Sequence, residues 1–180
     1  MADADESEGG DVAREKIHEP AVTRHGAVQG FDASGNEVLF CERGELTDLV
    51  KALGNEGFGQ LLDVCAVDYL AHPGRGNLPD EIVAERFEVT YLLISHAERR
   101  RLRIRVQVPE SEPSVASMVE MHPGAEAPER EAYDMFGISF DDHPDMTRIL
   151  MPDDWAGHPL RKDFAMGRIP VQFKGAPAAR

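Results

Sequence analysis

Six residues near the C-terminus could hold a metal ion: His143, Asp145, Asp153, Asp154, His158 and Asp163. Histidine and carboxylate ligate metals when a regular element sets them on one face. The spacing here works against that. There is no HxxxH pair and no HxH. His143 and His158 each precede a proline, which favours extended backbone. Nucleophilic chemistry fares no better. Cys41 and Cys65 lie far apart in apolar, strand-like surroundings, and buried, inert thiols are expected. Without a CxxC the chain cannot ligate an iron–sulfur cluster alone. It also lacks GxSxG, a helix-opening GxGxxG and GxxxxGK[ST]. What remains is a set of charge-pair donors, Arg148 and Arg161-Lys162-Asp163, whose geometry suits protein groups better than a phosphate.

Those donors belong to the most informative stretch of the chain, Glu129 to Phe164. It is dense in Glu, Arg, Asp, His and Trp, and in residues that interrupt regular structure: Pro144, Pro152, Gly157 and Pro159. Further on, Trp155, Leu160, Phe164, Met166, Ile169, Val171 and Phe173 are interspersed singly among glycines and prolines. So few apolar groups cannot offset the entropy of ordering so long a segment. Either residues 152–180 are disordered, or another molecule supplies backbone bonds and apolar surface to them; Trp155 and the other large apolar groups beside salt-bridge formers favour the second.

The elements upstream must position this segment. Residues 1–18 hold almost nothing apolar and read as a disordered acidic tail. Val38 to Cys41 reads as a short buried strand. Leu46, Leu49, Val50 and Leu53 form a helical stripe that Gly54 should stop. Leu61 to Leu70 reads as a mostly buried strand interrupted by Asp63 and Asp68, two acids that need partners or a strand end. Residues 71–84 read as a loop. Phe87, Val89, Tyr91 and Leu93 alternate with polar neighbours, and so do Leu102, Ile104, Val106 and Val108. Together they predict an antiparallel hairpin with one buried face. The row Arg101, Arg103, Arg105 should be a solvated face paired to acids across the sheet. Pro113 to Met121 reads as a helix with Val115, Ala116, Met118 and Val119 inward. A second short helix covers Pro128 to Phe136, with Pro128 at its first position, Gly137 as its left-handed stop, and an Arg130–Asp134 pair.

The expected fold class is α+β: a small, mostly antiparallel sheet with helices packed on one face, followed by an extended irregular C-terminal arm. The divisions are 1–18 (tail), 19–140 (domain) and 141–180 (arm). A net charge of -14 argues against a nucleic-acid partner and against direct docking on an anionic bilayer. No apolar run reaches the roughly 18 residues of a membrane helix, so no direct insertion is expected. The first residues lack an apolar signal region.

Glu129-Arg130-Glu131-Ala132-Tyr133-Asp134-Met135-Phe136-Gly137-Ile138, then His143-Pro144-Asp145, then Arg148-Ile149-Leu150-Met151-Pro152-Asp153-Asp154-Trp155, then Gly157-His158-Pro159-Leu160-Arg161-Lys162-Asp163-Phe164 closely resemble the signature of the C subunit of bacterial NADH-quinone oxidoreductase. This is the 30-kilodalton subunit family of respiratory complex I. The resemblance implies a non-catalytic peripheral-arm protein that binds no cofactor. FMN, iron–sulfur clusters and quinone would sit in partner subunits, which carry electrons from NADH to quinone, coupled to proton translocation. It implies hydrophilic partners, chiefly the D subunit, with the B and I subunits as further candidates, next to the quinone site and on the cytoplasmic face of the cell membrane. It assigns the partner interface to Glu129, Arg130, Glu131, Asp134, Phe136, Gly137, His143, Pro144, Asp145, Arg148, Leu150, Pro152, Trp155, His158, Pro159, Leu160, Arg161, Lys162 and Asp163. The rival is the equivalent subunit of a membrane-bound hydrogenase or of another donor:quinone dehydrogenase. The chain departs from the family's usual residues at His122, Ala127, Pro128, Asp142, where glycine is usual, and Thr147, where arginine is usual.

Overall fold

Strict alternation from Phe87 to Val108 builds the centre of the sheet. In the computed structural model, which describes residues 22–72, 75 and 78–165, these residues form β5 (Phe87–Ser95) and β6 (Arg100–Val108). They pair antiparallel, with Tyr91 opposite Ile104. One face of the pair, Phe87, Val89, Tyr91, Leu93, Leu102, Ile104, Val106 and Val108, is fully buried. Around it stand β1 (Thr23–Arg24), β2 (Ala27–Phe31), β3 (Glu37–Cys41) and β4 (Gln60–Asp68). The order is β1-β2-β3-β6-β5-β4. Among the described residues of this sheet only β3 and β6 run parallel, with Leu39 beside Ile104. The helices α1 (Leu46–Asn55) and α2 (Glu126–Phe136) close the same core through Leu46, Leu49, Val50, Leu53 and Ala132. This is the expected α+β class.

Several expectations need correction. Residues 113–121 are not a helix. Ser114–Ala116 is a short strand, β7, paired parallel to β8 (Ser139–Asp141). Val115 and Met118 are buried as expected, but from extended and turn backbone. An apolar spacing of three within so short a window fits either conformation, and the available partner strand decided it. Gly54 does not stop α1, which runs to Asn55. The left-handed residue comes at Gly57, φ 97°. Pro128 lies inside the first turn of α2, which starts at Glu126. β4 is an edge strand, so much of it is exposed, including Cys65 and a bulge that turns Leu62 outward. Cys41 is buried, and enclosure pushes its thiol up to about 12.

Two of the three arginines in the row, Arg103 and Arg105, pair with acids as expected, while Arg101 meets no carboxylate among the described residues. Arg105 Nε donates to Glu88 Oε1 at 2.6 Å across the pair, and Arg103 pairs with Asp32. Glu88 is almost fully buried there, also accepting from Gln107 Nε2 at 2.6 Å. One polar atom of the opposite face is left over. The Tyr91 hydroxyl is enclosed and meets no hydrogen-bond partner among the described residues. Tyr91→Phe removes that desolvated group and keeps the ring. It should stabilise the domain by about 1 kcal/mol in denaturant unfolding. A loss of stability would mean that the hydroxyl is partnered.

Candidate functional site

The carbonyls at the C-terminal end of a helix have no intrahelical partner and carry partial negative charge. At the end of α2 the chain's own later residues satisfy them. Gly137, with φ 73°, turns the backbone left-handed and donates its N–H to the Tyr133 carbonyl at 2.8 Å. The Asp134 carbonyl accepts from His158 Nδ1 at 3.0 Å. The Met135 carbonyl accepts the Leu160 amide at 3.0 Å, and the Phe136 carbonyl accepts Arg161 Nε at 2.5 Å. A Cβ on residue 137 would stand 2.5 Å from His158 Nε2. Glycine is therefore required twice, for the turn and for the approach of His158.

The Asp134 side chain is the anchor. It is fully buried. Its Oδ2 accepts the amides of Ile149, Leu150 and Met151 at 3.1, 2.8 and 2.8 Å. Its Oδ1 takes Arg148 Nη1 at 2.5 Å, and Arg148 Nη2 reaches the Gly157 carbonyl at 3.0 Å. The expected Arg130–Asp134 pair does not form. Arg130 instead reaches Glu126 at 3.0 Å and the Thr147 carbonyl at 3.1 Å. Arg148 and three amides offer the buried carboxylate more than one arginine on its own helix could. Burial opposes the Asp134 charge. The Met151 and Leu150 amides, Arg148 and the Ile149 amide outweigh it and hold the pKa down to about 2.

A depressed carboxylate contributes stability above its unfolded pKa and loses it as pH falls through the folded value. For Asp134 that window lies between 3.8 and about 2. The component is about 2 kcal/mol, at about 1.4 per pKa unit. The difference in unfolding free energy between the native chain and Asp134→Asn should therefore shrink by about 2 kcal/mol across that window. A difference independent of pH would contradict the anchor.

A second lock holds the far end of the segment. Buried Asp68, at the end of β4, accepts Arg86 Nη2 at 2.9 Å and the Lys162 amide at 2.9 Å. Arg86 Nη2 also meets Asp163 Oδ1 at 2.6 Å. Arg161 lies over the Phe87 ring, 5.1 Å from its centre. Between residues 152 and 164, then, the Leu160 and Lys162 amides and the Gly157 carbonyl, which were expected to need another molecule, are taken up by this domain. Met166, Ile169, Val171 and Phe173 lie outside the described residues, as does the acidic tail.

The sequence-assigned residues divide by direction. Glu129 and His143 have fully enclosed side chains. Glu129 accepts the Met118 amide at 2.7 Å and the Ser117 hydroxyl at 2.6 Å. His143 accepts the Asp145 amide at Nδ1 and donates from Nε2 to the Glu126 carbonyl. Asp134 is equally internal, and the Gly137 turn is half-buried. Asp145 accepts the Thr147 amide at 3.2 Å. Glu131, Pro144, Leu150, Pro152, Trp155, Leu160, Lys162 and Asp163 are exposed, while Phe136, Arg148, Pro159 and Arg161 are half-buried. Asp142 has φ 64°, which explains why glycine suits that position and aspartate tolerates it.

The outward side of the pinned segment carries large apolar groups among exposed charges. Ile149, Leu150, Trp155 and Leu160 are 40–56% exposed. Trp155 stacks on Phe164, their ring centres 6.5 Å apart. Gly157 permits this: a Cβ there would stand 2.8 Å from the Phe164 ring. The sequence-assigned interface left out Ile149 and Phe164, although both stand in the signature, and sequence reasoning did not find the Asp68–Arg86 lock. A signal for the lock was available, since Asp68 stood out as an acid in an apolar strand that needed a partner. No group of three or more metal-ligating side chains converges among the described residues, and no helix there is long and apolar enough to cross a membrane.

Residues 39–169 match the sequence family described as "Respiratory-chain NADH dehydrogenase, 30 Kd subunit". The C subunit of NADH-quinone oxidoreductase from Saccharopolyspora erythraea is 39% identical over 163 residues, 89% of this chain and 61% of that protein. The same-named protein of Acidothermus cellulolyticus is 40% identical over 83% of this chain and 75% of its own length. This chain therefore spans about three-fifths to three-quarters of those relatives. Among solved structures, a trypsin-resistant fragment of Nqo5 superposes with a TM-score of 0.59 at 31% identity, over 67% of this chain and 89% of the fragment.

Proposed function

From a chain that belongs to the 30-kilodalton subunit family of respiratory-chain NADH dehydrogenase, we infer a non-catalytic scaffold within an NADH:quinone oxidoreductase. In this reading FMN, iron–sulfur clusters and quinone are held by partner subunits, which pass electrons from NADH to quinone and couple this to proton translocation. The chain sits peripherally on the cytoplasmic face of the membrane complex. It braces the hydrophilic subunits beside the quinone site, chiefly the D subunit, with the B and I subunits as further neighbours.

One observation carries this reading. An irregular segment is pinned at both ends by buried ion pairs, yet turns Ile149, Leu150, Trp155 and Leu160 outward. Preorganised apolar groups lose little entropy on docking, so they favour tight association. Large aromatic anchors of this kind dominate interface energetics. The arm, residues 141–180, is the docking element.

Trp155→Ala should weaken docking by at least about 2 kcal/mol, roughly 30-fold. The fold of the domain should change little, because the side chain is 42% exposed. Blue-native gels of membranes should then show less full-size complex, while the purified chain melts normally. Full-size complex at normal abundance and activity would end the docking idea. Mass spectrometry of proteins copurifying with the tagged chain identifies the electron donor. NADH- and flavin-binding subunits support this reading, and a nickel-site hydrogenase subunit supports its rival.

A further inference from the structure

At the opposite end of β5 from the Arg86 lock, a cleft of about 500 Å³ opens at the edge of the sheet. Phe31, Ile94, His96, Arg99, Arg100 and Arg101 line much of it. It is a basic spot on a molecule of net charge -14. The carboxylate in its wall, Glu37, is already taken by Arg24, Gln29 and Arg100. Glu98 pairs with Arg100, and Asp32 pairs with Arg103. His96 binds Gln60 at 2.6 Å. Arg99 and Arg101 are exposed, and neither meets a carboxylate among the described residues. Phe31 stands 69% exposed at the same place. An aromatic ring beside two uncommitted guanidinium groups is a surface for an acidic chain.

The direction of the backbone says which acidic chain can reach it. β1 is antiparallel to β2, with Thr23 opposite Val28, and the Gln29 amide donates to the Val22 carbonyl at 2.8 Å. Followed toward the N-terminus, the chain therefore heads along β2 toward Phe31. Phe31 lies opposite Glu37, Glu37 beside Leu102, and Arg101 opposite Ile94. All of them border the cleft or adjoin it. Residues 1–13, outside the described residues, hold five acids and no base: Asp3, Asp5, Glu6, Glu8 and Asp11. At about 3.3 Å per extended residue, the stretch between Asp11 and Val22 can span well over 20 Å.

We propose that the acidic stretch Asp3–Asp11 docks in cis into this cleft, its carboxylates on Arg99 and Arg101, and screens the basic spot from other polyanions. Tethering supplies an effective concentration of about millimolar, so individually weak ion pairs suffice. Such exposed pairs are sensitive to salt. The contact is independent of the arm and of the docking role argued for it.

The test uses the full chain in solution. A spin label is attached at position 5 through Asp5→Cys, with Cys65→Ser in the background to remove the exposed native thiol. At low salt the amides of Ile94 to Arg101 and of Phe31 should lose most of their signal. The loss should recover at about 1 M salt, where the Debye length falls to about 3 Å. It should also recover in the double variant Arg99→Gln, Arg101→Gln, whose exposed positions leave the fold intact. Mixing labelled chain with unlabelled isotope-enriched chain should give no effect. Broadening in that mixture would assign the contact to a second copy and overturn the proposal. Broadening elsewhere, or none at low salt, would overturn it as well.

Discussion

Asp134→Ala frees the segment from Arg148 to Arg161 and lowers the unfolding free energy by about 3–5 kcal/mol. The size follows from what is left behind. Arg148 loses its buried counter-charge, and three amides lose their common acceptor. Removing one partner of a buried network costs far more than the net worth of the contacts, because the orphaned groups stay desolvated. Asp134→Asn should recover little. Its single amide oxygen must serve three N–H donors, while its NH2 faces the Arg148 guanidinium. Denaturant unfolding gives the free energy, and amide exchange shows where it is lost. Residues 149–151 and 160 should lose protection before the central strands do. Retained protection there, with an unfolding free energy changed by less than about 0.5 kcal/mol, would rule out Asp134 as the anchor. The same variant should reduce assembly, since Leu150 and Trp155 would then have to be ordered at the moment of docking.

Arg86→Ala should cost a comparable amount, about 3–5 kcal/mol, by another route. Asp68 is fully enclosed and keeps only the Leu70 and Lys162 amides once Arg86 is gone. Its pKa, which the Arg86 guanidinium and these amides hold below the usual carboxylate range against the opposing effect of burial, should rise. The variant should then be most impaired near neutral pH and approach the native chain in acid. Arg86→Lys should not restore stability. A lysine cannot span Asp68 with two parallel donors, nor reach Asp163 and Glu110 from the same head. Asp163→Ala should matter little, because that carboxylate is half exposed and exposed pairs contribute about 0–1 kcal/mol. Equal losses for Asp163→Ala and Arg86→Ala would mean that the lock depends on the arm more than on Asp68.

Much of the molecule was legible in the order of residues alone. The period of two from Phe87 to Val108 specified a hairpin and its buried face, because in a strand the side-chain direction alternates regardless of what packs against it. Gly137 announced the end of α2 because few other residues take its left-handed backbone. The density of charge and proline from Glu129 to Phe164 marked an irregular segment, and the family resemblance rested on those same residues. Tertiary structure decided the rest. Ser114–Ala116 became a strand because β8 offered it a hydrogen-bonding edge, a fact no local window contains. Arg130 and Arg148 competed for Asp134, and the residue fourteen positions away won over the one four away. Buried carboxylates choose partners by how many donors converge in space, and convergence is a property of the folded chain. For the same reason the sequence could name the residues of the arm but could not tell which of them fasten it and which it presents.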